Sequence, residues 1–566
     1  MRCPKLKIYV VFSTLALLLS VTACGAEPAA TATPTVAPEN PALLMAPMPD
    51  GVRLASDVYR PAGDGPWPAI LMRTPYSRQA GMDLLANAFT TSGYAVVVQD
   101  MRGRFDSEGV YQGFFADPVD GQATLEWIAG QPWSDGRVAT WGPSALGIAG
   151  YLLAPDAPEA LRCQLSLIAT PDVYTHAAFP GGVPRQALVQ GWVEDLESEH
   201  LLDEWFGHEL RDAYWDPVDI SDRYGQVHVP ALHVGGWYDI FAQGTLDAFV
   251  GYQEAGGAGA AGRQHLIMGP WTHMGLGQRE QGALTYPANA ALGQLGLLTQ
   301  ASEWFDHCLL GETTAAAGWP PVRYYLMGDV DDPGSPGNAW REAERWPPPS
   351  TAQALYLRAG GALSVTLPPT DESGDTFRYD PADPSPTVCG ANLNLPAGPC
   401  DQREVEARAG VVVYSTPPLE APLEVTGRVR ARVWLVADVP DTDVVVRLTD
   451  VYPDGRSMLV LDGALRTRFR DGDFSREAWM TPGTPYELQV DLGSTAIVFN
   501  AGHRVRIVVS ASNAPRFAPN PNTGPDGGAP QVATLTLLHD AEHPAALVLP
   551  VMGDGLAAHP LSSPAE

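Results

Sequence analysis

Val138-Ala139-Thr140-Trp141-Gly142-Pro143-Ser144-Ala145-Leu146-Gly147 reads as an apolar strand, a tight turn and the first turn of an apolar helix. A serine on such a turn is lifted clear of the sheet edge. Small flanking residues let the backbone bend that sharply, and the helix N-terminus offers N–H groups to a developing oxyanion. The closing glycine, Gly147, comes one place later than in G-x-S-x-G. On its own, a Gly-x-Ser turn is more often structural than catalytic.

Outward from this turn, residues 50–345 alternate short apolar runs with amphipathic stretches. Ala69–Met72, Ala95–Gln99, Val138–Trp141, Cys163–Ala169, Ala231–Val234 and His265–Met268 read as buried strands. Met82–Thr91, Asp117–Gly130 and Ala145–Ala154 read as helices between them. This alternation predicts an α/β domain over 42–346, with a mostly parallel sheet covered on both faces. The interval 171–228, rich in Trp, His and acidic residues, breaks the rhythm and reads as an inserted helical cap. After Trp346-Pro347-Pro348-Pro349, strands with turn signals take over: Val425–Val436, Val444–Tyr452, Arg466–Phe469, Tyr486–Val490 and Arg504–Ser510. An all-β sandwich or jelly roll is expected over 350–560.

A serine on such an elbow calls for an acid and then a histidine, each on a loop after a later strand. Val229–Val234 is a strand and Gly235-Gly236-Trp237-Tyr238-Asp239 follows it; Gln264–Gly269 is the next, followed by Pro270-Trp271-Thr272-His273. Of twelve histidines, His273 alone has this placement. The ordered trio predicts Ser144 as nucleophile, His273 as base and Asp239 as its orienting acid. The chain's only lysines are Lys5 and Lys7, both ahead of the expected cleavage point. Schiff-base, Ser–Lys and P-loop lysine chemistries are thereby excluded for the mature protein.

These segments resemble the Xaa-Pro dipeptidyl-peptidase/cocaine-esterase family of serine hydrolases, from about Met48 to Met552. The resemblance rests on Arg73-Thr74-Pro75-Tyr76, on Gln99 to Arg104 with Ser107-Glu108-Gly109, and on Glu126-Trp127-Ile128 with Gln131 to Val138. It continues through Gly236 to Asp239, Gly269 to His273, Asp441-Thr442-Asp443, Asp450 to Gly455, and Ser512-Asn513 with Pro515-Arg516-Phe517. The family's elbow, G-x-S-Y-x-G, accounts for the late glycine, although Ala145 stands where the family usually has Tyr. The resemblance implies an α/β-hydrolase with a C-terminal jelly roll and acyl transfer without metal or organic cofactor. It further implies an oxyanion hole from the Tyr76 hydroxyl and the Ala145 N–H. Phe241 and Ala242 occupy the positions where amino-ester members carry carboxylates for an ammonium group. Trp237 to Phe241 is instead similar to the cocaine-esterase version, whose Phe lines an acyl pocket. Gly181-Gly182 followed by Trp192 is similar to the cap segment that supplies a pocket tryptophan. Core packing is the other reading of Phe241 and Trp192. An ester, amide or short peptide is the implied substrate, with Xaa-Pro dipeptidyl-peptidase or acylase activity as alternatives. A vestigial hydrolase domain on a surface-tethered binding protein is the reading from another class.

Arg2, Lys5 and Lys7 before the apolar run Ile8–Leu19 form a signal-peptide pattern over 1–24. Val21-Thr22-Ala23-Cys24 resembles a bacterial lipobox, with lipid on the Cys24 thiol, and Ala26–Pro41 suits an extended tether over 25–41. An extracytoplasmic, membrane-anchored lipoprotein is expected, touching the membrane only through that lipid. Net charge of −30 over 566 residues disfavours nucleic acid as a partner. Cys389 and Cys400 flank a Gly/Pro-containing loop and are expected to form a local disulfide. Cys163 and Cys308, in apolar surroundings, are expected as core thiols. His539 and His543 have metal-like spacing but are expected on the surface of a strand connection, and no metal site is expected.

Overall fold

The computed structural model of the protein describes residues 41–553; Cys24, the stretch read as a signal peptide and most of the stretch read as a tether lie outside them. Eight strands open the chain: β1 (Ala42–Pro47), β2 (Arg53–Tyr59), β3 (Trp67–Thr74), β4 (Ala95–Asp100), β5 (Ser134–Pro143), β6 (Leu161–Leu167), β7 (Ala231–Tyr238) and β8 (His265–Thr272). A two-strand hairpin follows, β9 (Glu280–Gln281) and β10 (Leu284–Thr285), then β11 (Val322–Leu326) and β12 (Ala339–Ala343). The main sheet has the order β1-β2-β4-β3-β5-β6-β7-β8-β11-β12. From β4 through β11 every neighbouring pair is parallel, and antiparallel strands close both edges.

Alternate residues explain why the central strands are apolar throughout. Ala69 and Leu71 of β3, with Ala95 and Val97 of β4, enter one hydrophobic cluster; Ile70, Met72, Val96 and Val98 enter another on the opposite face. A sheet covered on both faces has no solvent side to demand polar residues. Helices Asp117–Ala129 and Ala145–Leu152 supply the first layer through Leu125, Ile128, Ile148 and Ala149. Met82–Thr91 and Gly293–Cys308 supply the second through Leu85, Phe89, Trp304 and Phe305. Between β6 and β7 stand helices Gln186–Asp195 and His200–Gly207 with several short turns, in the interval read as a cap.

Beyond β12 the described residues are mainly β, with one helical turn at Arg403–Glu406, in an eleven-stranded arrangement whose longest ladder pairs Leu423–Ala437 with Tyr486–Phe499. Three expectations fail here or nearby. Arg466–Phe469 is not a strand: the strand is Ser457–Arg466, and Thr467–Phe469 is a 3₁₀ turn. Asp441 causes the bend by accepting the Thr467 hydroxyl and the Arg468 N–H, each at 2.9 Å. His539 is not on the surface but fully buried, 3.0 Å from an Asp375 carboxylate oxygen, because the strand Ala533–Leu538 carries it inside. Cys163 and Cys308 are not thiols but a disulfide, with Cα atoms 6.1 Å apart across a separation of 145 residues. β6 points Cys163 at the helix that ends in Cys308, which stitches the sheet to its outer layer. Cys389 is bonded to Cys400.

The two domains share a buried clamp. His503, 2 % exposed, holds Asp450 of the jelly roll at 2.8 Å through Nδ1 and lies 3.3 Å from Asp329, just past β11, through Nε2. Burial works to lower its pKa, but the hydrogen bond and charge of Asp450, with the charge of Asp329, outweigh that and raise it. A histidine whose folded pKa exceeds its unfolded value adds stability that is complete below the unfolded pKa and fades as pH rises through the folded one. Wild type should therefore exceed His503→Gln in Tm most near about pH 6.5, with the gap narrowing as pH rises above it. A gap that stays constant across thermal melts from neutral to alkaline pH would remove the charge from this account.

Candidate active site

Ser144 stands between β5 and the helix Ala145–Leu152 at φ 54°, ψ −124°, a backbone conformation that side chains rarely adopt and that costs about 1–3 kcal/mol. Close packing on either side holds it there. A Cβ on Gly142 would stand 2.3 Å from Cβ of Leu146, and one on Gly147 would stand 2.7 Å from both Cβ of Ala169 and the Gly142 carbonyl oxygen. The second glycine falls at 147 because that position of the helix lies against the segment leaving β6. The Ser144 N–H donates to the Leu167 carbonyl at 2.9 Å, and the Ser144 carbonyl accepts from Ile148 at 2.9 Å.

β7 and β8 bring the other two residues alongside. Their register pairs Tyr238 with Thr272, so Asp239 and His273 are the next residues on adjacent strands. Gly236 permits this approach, since a Cβ there would lie 2.1 Å from the Trp271 carbonyl oxygen. His273 Nδ1 is 2.5 Å from Asp239 Oδ1 and its Nε2 is 2.9 Å from Ser144 Oγ. The second carboxylate oxygen of Asp239 accepts from the Phe241 N–H at 3.0 Å. A carboxylate accepts only, so Nδ1 carries the proton and Nε2 is left to accept the serine hydroxyl's. Asp239 is 1 % exposed, His273 4 % and Ser144 9 %, so the acid is sealed and the serine is the member nearest solvent.

Tyr76 stands two residues past the end of β3. β3 lies beside β5 with Leu71 opposite Thr140, and the chain leaves β3 toward β4 on one side before returning across to β5 on the other. Such a reversal opens a crevice at the C-terminal ends of the two strands, where the loops bearing Tyr76 and Ser144 diverge. The Gln99 to Arg104 segment holds the Tyr76 turn in place. Arg104 donates to the Pro75 carbonyl at 2.9 Å and to the cap's Leu196 carbonyl at 2.7 Å. Arg78, 3 % exposed, bonds Asp57, Asp100 and Asp106. The indole N–H of Trp192 donates to the Tyr76 hydroxyl oxygen at 2.8 Å. Burial pushes the Tyr76 phenol up to about 12, so it is protonated, and able to donate, at neutral pH.

Beside Ser144 lies a narrow apolar slot of about 30 Å³, lined among others by Ala145, Phe114, Trp192, Phe241 and Leu393. Trp192 stacks on Phe114 at 5.3 Å between ring centres and 8° between planes. Phe241 stands edge-on to His273 at 5.8 Å. Both aromatics named from the sequence thus border the slot, while Phe114 and Leu393 were missed. Leu393 belongs to the loop closed by the Cys389–Cys400 disulfide, a signal that could have pointed to it.

Comparisons with known proteins agree with this architecture. The family model for X-Pro dipeptidyl-peptidase (S15 family) matches residues 50–200 and 190–275. The model for the X-Pro dipeptidyl-peptidase C-terminal non-catalytic domain matches 315–548. Cocaine esterase from Rhodococcus sp. (strain MB1 Bresler) is 34 % identical over 586 aligned residues, covering 90 % of this chain and 98 % of its own. Among solved structures, an aminopeptidase from a marine sediment archaeon (Thaumarchaeota) superposes with a TM-score of 0.78 at 22 % identity, over 94 % of this chain and 99 % of that one. An α-amino acid ester hydrolase does so with a TM-score of 0.77 at 24 % identity, over 93 % and 98 %. With the fold, the matched domains and the esterase relative in agreement, the chain belongs to the X-Pro dipeptidyl-peptidase (S15)/cocaine-esterase family and is a serine hydrolase acting on esters or amides.

Proposed function

We propose that the protein hydrolyses carboxylic esters of apolar acyl groups through a Ser144–His273–Asp239 acyl-enzyme mechanism. The observation that carries this reading is the pair of contacts on His273, 2.5 Å to Asp239 and 2.9 Å to Ser144, beside an apolar slot. His273 Nε2 takes the proton as Oγ attacks the carbonyl carbon, and Asp239 stabilises the imidazolium that forms. The Ala145 N–H, at the first position of its helix, and the Tyr76 hydroxyl hold the tetrahedral oxyanion. His273 then protonates the leaving alkoxide. A water deprotonated by His273 attacks the acyl-enzyme and releases the acid. Phe241 and Ala242 offer no carboxylate to a substrate ammonium, and the slot's walls are hydrocarbon, which favours a neutral, apolar acyl group over an α-amino ester.

An extracytoplasmic, lipid-anchored location belongs to the same reading. It is supported by the signal pattern, the Val21-Thr22-Ala23-Cys24 sequence and two disulfides, which persist in oxidising compartments.

Ser144→Ala should abolish aryl-ester turnover and labelling by a fluorophosphonate while leaving the melting curve near wild type; a burst of acylation in that variant would refute the nucleophile. Tyr76→Phe keeps the ring against Trp192 and deletes the donor, so kcat should fall about 10²–10³-fold with KM little changed. A kcat within a fewfold of wild type, where acylation limits the rate, would make Tyr76 structural. Cys24→Ser should release the protein from the membrane fraction or block its processing, and unchanged fractionation would rule out the lipid anchor.

A further inference from the structure

A second cavity, about 300 Å³, lies behind the triad acid between the hydrolase domain and the jelly roll. The loop from Trp237 to Gln243 bounds it, as do the cap turn at Thr175–Gly181 and the strands Ser457–Arg466 and Tyr486–Phe499. The proposed mechanism does not use it. Leu461, Leu465, Phe474 and Phe517 give it hydrocarbon walls.

One corner holds more cation than anion. Among the described residues no carboxylate makes hydrogen-bonding contact with Arg185, which is 3 % exposed. It donates to the carbonyls of His176 and Ile240 at 2.9 Å each and of Ala391 at 2.7 Å. Arg516, 6 % exposed, binds both oxygens of Asp462 through a single nitrogen, while its Nε is buried without a hydrogen-bond partner. Arg447, 1 % exposed and just behind, donates to the Ser510 hydroxyl at 3.1 Å and the Pro386 carbonyl at 3.2 Å. Three guanidiniums therefore share one carboxylate, Asp462. The other acid acting on Arg185, Asp239, is engaged by His273. Burial, with repulsion from Arg516, lowers the pKa of Arg185 to about 9. At the far end of the cavity Arg428 is matched by Asp491 and Asp247, and His176 lies 3.4 Å from Asp247, so the imbalance is confined to the Arg185 corner. A buried guanidinium without a counter-charge costs several kcal/mol, and a bound anion would relieve that cost.

We propose that this cavity binds an organic monocarboxylate, with its carboxylate at the Arg185–Arg516 corner and its hydrocarbon body against Leu461, Leu465, Phe474 and Phe517. The planar forks of arginine fit a carboxylate's geometry, and the apolar walls favour a ring or short chain over an inorganic anion. Arg185 grips the carbonyl next to Asp239, so the occupant sits one residue from the triad.

The test uses the full protein with Ser144 carrying a phosphonyl adduct, which fills the acyl slot. Calorimetric titration should show one equivalent of benzoate bound, acetate at least about tenfold weaker, and no binding of the isosteric benzamide. Gln489 is exposed and lines the cavity; Gln489→Trp should obstruct it and weaken benzoate by about tenfold or more. Arg516→Lys, which keeps the charge but not the planar fork, should do likewise. Failure of benzoate to bind the blocked protein, equal binding of benzamide, or an affinity unchanged by Gln489→Trp would each overturn the proposal. If no adduct forms, the assignment of Ser144 fails, and the same titrations on the unmodified wild type and Gln489→Trp still decide the cavity.

Discussion

Ser144 is held at positive φ, and much of the molecule exists to keep it there. The strained turn survives because Gly142 lets Leu146 fold back against it and Gly147 lets the helix lie on the exit of β6. Neither contact would persist without a sheet buried on both faces, since that burial fixes where β5, β6 and the helix Ala145–Leu152 stand. The backbone is set by packing before any chemistry is considered. The hydroxyl needs no further adjustment to meet His273.

Three parts of the chain meet at this point and are tied by a few polar bonds. Arg185 reaches backbone of the cap, the acid loop and the disulfide loop of the jelly roll with one guanidinium. Trp192 borders the slot with one face of its ring system and orients Tyr76 with its N–H. Arg104 joins the Tyr76 turn to the cap. The arrangement is stiff because each bond ends on backbone or on a side chain that is itself packed.

Much of this was legible in the sequence. Ser144, Asp239 and His273 each follow an apolar strand, and parallel strands bring their C-terminal ends to one edge, so order along the chain was enough to group them. Uninterrupted apolar runs located the hydrolase strands because a sheet covered on both faces has no polar side. Tyr76 needed more. The place of its strand beside β5 follows from the β4-β3-β5 order, which no local pattern encodes, and only the resemblance pointed to it. The Cys163–Cys308 bond joins residues 145 positions apart, each in an ordinary apolar setting, so neither segment carried a sign of the other. Thr467–Phe469 turns because Asp441 captures it from the connection ahead of the strand Asp443–Val451. His539 is buried because its carboxylate partner lies on β-structure 164 residues away. The misses share one cause: a partner far along the chain decided the local outcome.

Leu393 gives this dependence a practical side. The wall it contributes to the apolar slot arrives on a loop closed at its base by Cys389 and Cys400, from outside the domain that carries Ser144, Asp239 and His273. One wall of the slot and the three polar residues beside it are thus housed in separable stretches of chain. A change confined to that one short clipped segment would alter a wall of the slot while Ser144, His273 and Asp239 keep their places in the other domain.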